Sequence, residues 1–166
     1  MKGIQYCIPA VQQILEKWPD TLLLLMGASG DYENEIFQLL HSLPEKSYRT
    51  VVFEFDIAAA YKCMTIYLHT PISESAEAFG QTYIEALISG VPSIFTISGI
   101  AREFISDGYN ALVVPHCDSQ AIFTAIERLL TQKLVSETLT LNGKQSAKKL
   151  FPLEQMIKKL ELLYDE

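Results

Sequence analysis

The stretch "TIYLHTPISESAEAFGQTYIEALISGVPSIFTIS", residues 65–98, contains the pattern of a strand, a loop, a helix and a second strand. The apolar run at 65–70 predicts a buried strand, and apolar residues at helical spacing predict a helix over about 79–89. A glycine-proline turn then leads into a strand within 90–98. Elements in this order are typical of a βαβ unit, which places its two strands parallel in one sheet.

The same alternation continues along the chain. Apolar runs predict further strands at 21–27, 49–55 and 110–115, and the first of these is expected to be buried on both faces before the glycine loop 27–31. Helices are predicted over about 3–18, 32–42, 57–63, 100–107, 118–131, 135–148 and 153–164. We therefore expect one α/β domain over residues 1–166, a Rossmann-like parallel sheet with helices on both faces, with the helix at 153–164 ending it.

The composition excludes several classes of protein. A formal net charge of −7 argues against a nucleic-acid partner, since phosphate contacts need clustered Lys and Arg. No apolar run approaches the roughly 20 residues of a transmembrane helix, and the first residues do not resemble a signal peptide. Cys7, Cys63 and Cys117 are scattered and odd in number, which suits a reducing compartment. These features predict a cytoplasmic protein without a transmembrane segment, and they leave room for peripheral contact with a membrane.

The segment His116-Cys117-Asp118 contains three residue types that bind metals. Adjacent residues do not readily face one ion together, and the chain has no second group of ligands at zinc-like spacing. We predict that this segment is a loop before a helix and that the chain has no metal site.

Two glutamates flank the glycine turn of the opening stretch. The first turn of the helix after Gly80 presents unpaired N–H groups and the positive end of the helix dipole, which suit a phosphate. Glu85 lies just over one turn into that helix, where its carboxylate can accept two hydrogen bonds from a vicinal diol. Glu77 lies before the helix, on the other side of the phosphate position. One carboxylate on each side of a diphosphate suits a nucleotide sugar, with its sugar at one end and its ribose at the other.

In combination these residues resemble the family-four retaining glycosyltransferases, which have the two-Rossmann GT-B fold. The hallmark E-x-F-G, a later E-A and a G-x-P turn are matched by Glu77, Phe79, Gly80, Glu85, Ala86, Gly90 and Pro92. The segment "SGIAREFISDGYNALVVPHCD", residues 98–118, resembles a second family segment at Gly99, Glu103, Asp107, Gly108, Asn110 and Pro115. The resemblance covers about residues 2–165 and is strongest over 65–118.

The resemblance implies a role for each site residue. Glu77 is the catalytic residue and contacts donor-sugar hydroxyls near the reacting face, whereas Glu85 holds the ribose hydroxyls. The lysine of the Lys2-Gly3 pair contacts the diphosphate. The residues that it assigns to donor binding are Lys2, Phe79, Gly80, Gln81, Glu85 and Gly99. The donor substrate is a nucleoside diphosphate sugar, and the reaction needs no other cofactor and no obligatory metal.

Three departures from the family pattern fall near the expected site. Ile100 and Ala111 stand where the family has glycines, so the backbone at these positions must follow a different course. The segment 53–58, "FEFDIA", lacks the glycine of a loop that in the family frames the base. The base of the donor is therefore left open.

The family's first strand, and the arginine that precedes its lysine-glycine pair, have no counterpart in this sequence. That strand is central in a doubly wound sheet, so its removal leaves two half-sheets. We predict a fragment of a GT-B half, or a chain whose partner supplies the strand. Direct pairing of the strands at 21–26 and 65–69 is the other arrangement that we considered.

The function expected from the resemblance is donor binding in a retaining glycosyltransferase. It transfers a hexose-type sugar from a nucleoside diphosphate to an acceptor held by a missing N-terminal domain, and this chain alone is inactive or nearly so. The alternatives are a non-catalytic partner subunit of a two-chain transferase and half of a GT-B sugar epimerase, although Phe79-Gly80 favours the transferase. His69 is either a donor contact or structural, and Tyr61, Tyr67 and Tyr83 are expected to fill the core or its rim.

Overall fold

The structure is a computed structural model that describes residues 2–27, 30 and 32–164, without the side chains of 153–155 and 159. Three residues of the predicted glycine loop, at 28, 29 and 31, lie outside this range. The helices are α1 (Ile4–Lys17), α2 (Glu33–Leu40), α3 (Ile57–Cys63), α4 (Gln81–Ser89), α5 (Ser119–Thr131), α6 (Lys133–Leu150) and α7 (Leu153–Tyr164). The strands are β1 (Leu23–Met26), β2 (Tyr48–Val51), β3 (Tyr67–His69), β4 (Ser93–Phe95) and β5 (Leu112–Val113).

The described strands form two parallel sheets rather than one. The first sheet pairs β1 with β2, with Leu23 opposite Tyr48, and the second has the order β3-β4-β5, with Tyr67 opposite Ser93. Helices α1 and α5 pack against each other and α4 packs against α6, and apolar residues of these helices and of β4 form the main core clusters. This is the predicted α/β class, with parallel strands flanked by helices.

An open cleft of about 1260 Å³ separates the two sheets. It is lined by β1 and β3 from either side, together with residues of α1 such as Val11 and Ile14 and of α3 such as Ala60 and Tyr61. Among the described residues, β1 pairs with β2 alone and β3 pairs with β4 alone. The structure therefore has the predicted gap, and the direct pairing of the strands at 21–26 and 65–69 is wrong.

The cleft corrects one prediction about β1. We expected residues 21–27 to be buried on both faces, but Leu22 is 54% exposed and Leu24 is 36% exposed, and both line the cleft. Leu23 and Leu25 are buried in a cluster with residues of α1 and α2. The chain carries apolar residues for a strand buried on both faces, but the face that bears Leu22 and Leu24 is open to the cleft.

Strands β1, β3 and β5 are each shorter than predicted, and two further elements also differ from expectation. The strand predicted at 49–55 ends at Val51, because β1, its only partner in the described part of the chain, ends opposite it at Met26. Phe53 and Phe55 beyond that point are largely exposed. The helix predicted near 100–107 is a 3₁₀ turn at Gly99–Glu103, after which Phe104 and Ile105 turn into the core.

The last helix has the predicted bounds of 153–164. The other helices match their predicted positions within a few residues at each end. None of the described helices is both long and apolar enough to cross a membrane.

Candidate functional site

The N-terminus of α4 is open to a ligand. Gly80 is its N-cap residue, with the left-handed backbone that favours glycine (φ 67°), and it gives the helix no side-chain cap. A Cβ at Gly80 would lie 2.6 Å from the ring of Tyr83, so no side chain fits there. Among the described residues, no acceptor contacts the amides of Gln81 and Thr82. The two N–H groups are free for an anion, which the helix dipole also attracts.

The loop that carries Glu77 is fastened to the end of β4. The backbone N–H of Glu77 donates to Ser98 Oγ at 2.9 Å, and the N–H of Gly99 donates to the carbonyl oxygen of Glu74 at 2.8 Å. A Cβ at Gly99 would lie 2.2 Å from the carbonyl oxygen of Ala78. The glycine at 99 is therefore required by close contact with this loop, and its predicted contact with the donor stays a prediction.

Glu77 and Lys2 form an ion pair at the carboxyl end of β3. The Glu77 side chain is only 12% exposed, whereas that of Lys2 is 61% exposed. The backbone places Lys2 here, because Gly3 lies so close to β3 that a Cβ on it would be 1.9 Å from the carbonyl oxygen of Thr70. Two of the residues predicted from distant parts of the chain are thus brought together.

His69, the last residue of β3, is buried beside the same carboxylate. Its Nε2 lies 3.4 Å from Glu77 Oε1 and accepts or donates no hydrogen bond within the described part of the chain, and its ring packs edge-on against Tyr83 with centroids 4.6 Å apart. Burial lowers the pKa of His69 to about 4; Glu77 opposes this shift and Lys2 adds to it. His69 is therefore neutral near pH 7. The structure places it within reach of Glu77, at the carboxyl end of β3.

Glu85 lies one turn into α4 and faces the cleft between the sheets. Its Oε2 accepts a hydrogen bond from the hydroxyl of Tyr61 at 3.1 Å. Lys2, His69, Thr82 and Glu85 all line this cleft. The carboxylate that we expected to hold a diol therefore faces the same open space as the cation expected to hold a diphosphate.

Phe79 and the 116–118 segment have structural contacts of their own. Phe79 is 47% exposed and packs edge-on against Phe151, with ring centroids 6.1 Å apart. Asp118 is the N-cap residue of α5 and accepts a hydrogen bond from the Ala121 amide, as expected for a loop before a helix. In the described part of the chain, no three His, Cys, Asp or Glu residues are grouped as metal ligands.

Sequence reasoning missed two contacts that fix the glutamates. Ser98 holds the backbone of Glu77, and Tyr61 holds the side chain of Glu85, across separations of 21 and 24 residues. No spacing rule connects residues this far apart. The available signal was their position: Ser98 ends the segment predicted to hold a strand at 90–98, and Tyr61 lies in the helix predicted after the strand at 49–55.

Comparison with known proteins agrees with this architecture. A family model described as "Glycosyl transferases group 1" matches residues 1–146. The chain is 26% identical over 166 residues to the capsular polysaccharide biosynthesis glycosyltransferase CapM of Staphylococcus aureus, covering 99% of this chain and 43% of CapM. It is 29% identical over 155 residues to a GDP-mannose-dependent α-(1-6)-phosphatidylinositol monomannoside mannosyltransferase of Mycolicibacterium smegmatis. That match covers 88% of this chain and 40% of the mannosyltransferase.

Solved structures share the fold. Anabaena HepE in complex with UDP-glucose superposes with a TM-score of 0.87 at 23% identity, covering 99% of this chain and 46% of HepE. The C-terminal domain of the group 1 glycosyl transferase LpcC from Francisella tularensis gives a TM-score of 0.78 at 24% identity, and the match covers 92% of this chain and 80% of the LpcC chain. The chain thus spans less than half the length of CapM, the mannosyltransferase and HepE.

Proposed function

This chain belongs to the group 1 glycosyl transferase family, as the C-terminal half of a GT-B fold, and from that premise we propose that it binds the nucleotide-sugar donor of a retaining glycosyltransferase. The observation that carries the proposal is the open N-terminus of α4, with Glu77 before it and Glu85 within it. The free amides of Gln81 and Thr82 receive the diphosphate, and Glu85 accepts hydrogen bonds from the ribose hydroxyls.

The ion pair between Lys2 and Glu77 gives the donor a cation, because the Lys2 side chain is 61% exposed and can turn from the carboxylate to a diphosphate. A diphosphate accepts charge-assisted hydrogen bonds from an ammonium as a carboxylate does, so Lys2 exchanges one anionic partner for another when the donor binds. The released Glu77 carboxylate then meets the hydroxyls of the donor sugar. In this arrangement Lys2 and the α4 amides neutralise the charge that grows on the diphosphate as the glycosidic bond breaks.

The transfer itself needs an acceptor that this chain does not hold. The bond between the anomeric carbon and the diphosphate oxygen breaks, a bond from that carbon to an acceptor hydroxyl oxygen forms, and the acceptor's proton leaves with the nucleoside diphosphate. We assign the acceptor to a second Rossmann-like half, and we take the transferred group to be a hexose. The proteins similar to this chain include a UDP-glucose complex and a GDP-mannose-dependent enzyme, so both bases are candidates.

The cleft between the sheets is where that second half joins this one. Its two sides, β1 and β3, belong to parallel sheets, and their facing edges are unpaired among the described residues. Gly3 lies against Thr70 at the carboxyl end of β3, so a strand that leads into Lys2 would end beside it. We assign the cleft to a parallel strand of the polypeptide that carries the acceptor half. The exposed Leu22 and Leu24 offer that strand an apolar surface.

Affinity for nucleoside diphosphates tests the donor-binding role. We expect UDP or GDP to bind this chain weakly, and we expect Glu85→Ala to abolish measurable binding because the ribose loses its charged acceptor. The matched control is Glu16→Ala, which removes an equal charge from an exposed position on α1 away from the cleft. Isothermal titration calorimetry measures both variants. Binding by Glu85→Ala equal to that of the unchanged chain would refute the ribose role.

A further inference from the structure

Tyr61 is a buried residue whose hydroxyl forms a hydrogen bond with a carboxylate of the candidate site. It lies on α3 and is only 5% exposed, and its hydroxyl donates to Glu85 Oε2 at 3.1 Å. Helix α3 is itself fixed at its start, because the Asp56 side chain accepts a hydrogen bond from the Ala59 amide at 2.8 Å. The hydroxyl therefore reaches the carboxylate from a capped helix outside α4.

The ring of Tyr61 is held by other aromatic rings. It packs edge-on against Tyr67 at 5.2 Å, and Tyr67 in turn packs edge-on against Phe95 at 6.3 Å. Burial is the main cause that raises the pKa of Tyr61, and Tyr67 and the Glu85 carboxylate raise it further. The hydroxyl is therefore protonated at every pH at which the protein is used, and it remains a hydrogen-bond donor.

A glutamate side chain that faces an open cleft has several rotamers, and a diol needs the carboxylate in one of them. A hydrogen bond to one oxygen restricts the carboxylate before the ligand arrives. Each carboxylate oxygen has two lone pairs, so Oε2 can accept from Tyr61 and from a ribose hydroxyl together, and Oε1 remains free for the second hydroxyl.

We propose that Tyr61 is a positioning residue that holds the Glu85 carboxylate ready for the 2′- and 3′-hydroxyls of a ribonucleoside diphosphate. This inference rests on the proposed donor-binding function and adds a residue that selects for ribose over sugars that lack those hydroxyls. A purely structural Tyr61 would affect folding and would affect every nucleotide equally. A positioning Tyr61 affects the nucleotides that carry the diol.

The test is the ratio of two dissociation constants measured on the same protein. The full chain is titrated by NMR with UDP and with 2′,3′-dideoxy-UDP, and likewise with GDP and its dideoxy analogue. Partial unfolding of a variant weakens the binding of both nucleotides of a pair by the same factor. That factor cancels in the ratio of their dissociation constants. The variants are Tyr61→Phe, which keeps the ring, Glu85→Gln, and Tyr83→Phe as the matched control, because the Tyr83 hydroxyl donates to the Thr96 carbonyl at 2.7 Å and not to Glu85.

We expect the unchanged chain to favour the ribonucleotide and Tyr61→Phe to reduce that preference by about three- to tenfold, as loss of one hydrogen bond would. Glu85→Gln should reduce it as well, and Tyr83→Phe should leave it unchanged. An unaltered ratio in Tyr61→Phe, with UDP or GDP still bound, overturns this inference and leaves the proposed function standing. A chain that binds neither UDP nor GDP overturns both.

Discussion

His69 is a neutral base next to a carboxylate, and its burial makes stability depend on pH. Its pKa is about 4 in the folded chain and about 6.5 in an unfolded one, so protons bind preferentially to the unfolded state between these values. The stability associated with neutral His69 is complete above pH 6.5 and is lost as the pH falls towards 4. We expect the free energy of unfolding to fall by about 2 kcal/mol from pH 6.5 to 5.0 on this account.

Urea unfolding at several pH values measures this effect. His69→Phe keeps an aromatic ring against Tyr83 and removes the titrating group, so its free energy of unfolding should depend less steeply on pH. His41→Gln is the control, because His41 is exposed at the end of α2. Equal pH dependence in the unchanged chain and in His69→Phe would show that His69 is not buried as a neutral base.

Substitutions at Gly99 and Gly108 allow the cost of backbone strain to be compared with the cost of a steric clash. Both have left-handed backbones, with φ of 57° and 68°, but a Cβ at 99 would strike the Ala78 carbonyl oxygen and a Cβ at 108 would meet open space. Gly108→Ala should cost about 1 kcal/mol of stability from strain alone. Gly99→Ala should cost more than about 3 kcal/mol, because the loop carrying Glu77 must also move. Thermal unfolding of the two variants gives the comparison, and similar losses would contradict the close contact.

Site residues that lie in one local motif could be predicted from the sequence, whereas contacts between distant parts of the chain could not. Glu77, Gly80 and Glu85 fall within nine residues of one another, so their spacing could be interpreted from the sequence. The ion pair between Lys2 and Glu77 joins positions 75 residues apart, and only the folded chain brings them together. The resemblance predicted that Lys2 belongs to the site but not that it contacts Glu77.

At the scale of elements, the helices were predictable and the ends of the strands were not. Helix α3 has its predicted bounds because Asp56 caps it, and α4 is bounded by glycines at both ends. Strand β2 was predicted too long, since the composition of residues 52–55 favours a strand but no strand among the described residues pairs with them. Strand length depends on a partner that local sequence does not reveal.

The cleft makes a prediction about thiol reactivity. Cys63 and Cys117 are both exposed, but only Cys63 lines the cleft. We would extend the chain before Lys2 with the strand-forming segment Val-Ile-Val-Ile-Val and a Gly-Gly link. Its insertion should slow the reaction of Cys63 with a thiol reagent by about tenfold or more and leave Cys117 unaffected.

An extension of equal length made of Gly and Ser is the control for that experiment, since it has little tendency to form a strand. Mass spectrometry of labelled peptides follows each cysteine separately. If the apolar extension leaves Cys63 as reactive as in the control, the cleft does not accept a strand from this end of α1.

At the scale of the whole molecule, one Rossmann-like half is present as two sheets around an open cleft. The donor side of the family is recognisable in it, because the motif lies on β3, α4 and β4, which pack as a unit. The acceptor and the sugar could not be predicted from these residues, because the motif gives the positions of Glu77 and Glu85 but not which side chains would contact a particular sugar or acceptor. The match to CapM covers 99% of this chain and 43% of CapM.

The most direct test of the central claim is to map where a nucleoside diphosphate binds. Titration of the ¹⁵N-labelled chain with UDP and with GDP, followed by amide chemical shifts, requires no acceptor and no second half. If the donor site is as we propose, the amides of Gly80, Gln81 and Thr82 shift first with at least one of the two nucleotides. If neither nucleotide shifts them, or the shifts lie away from the N-terminus of α4, the chain does not bind its donor in this way.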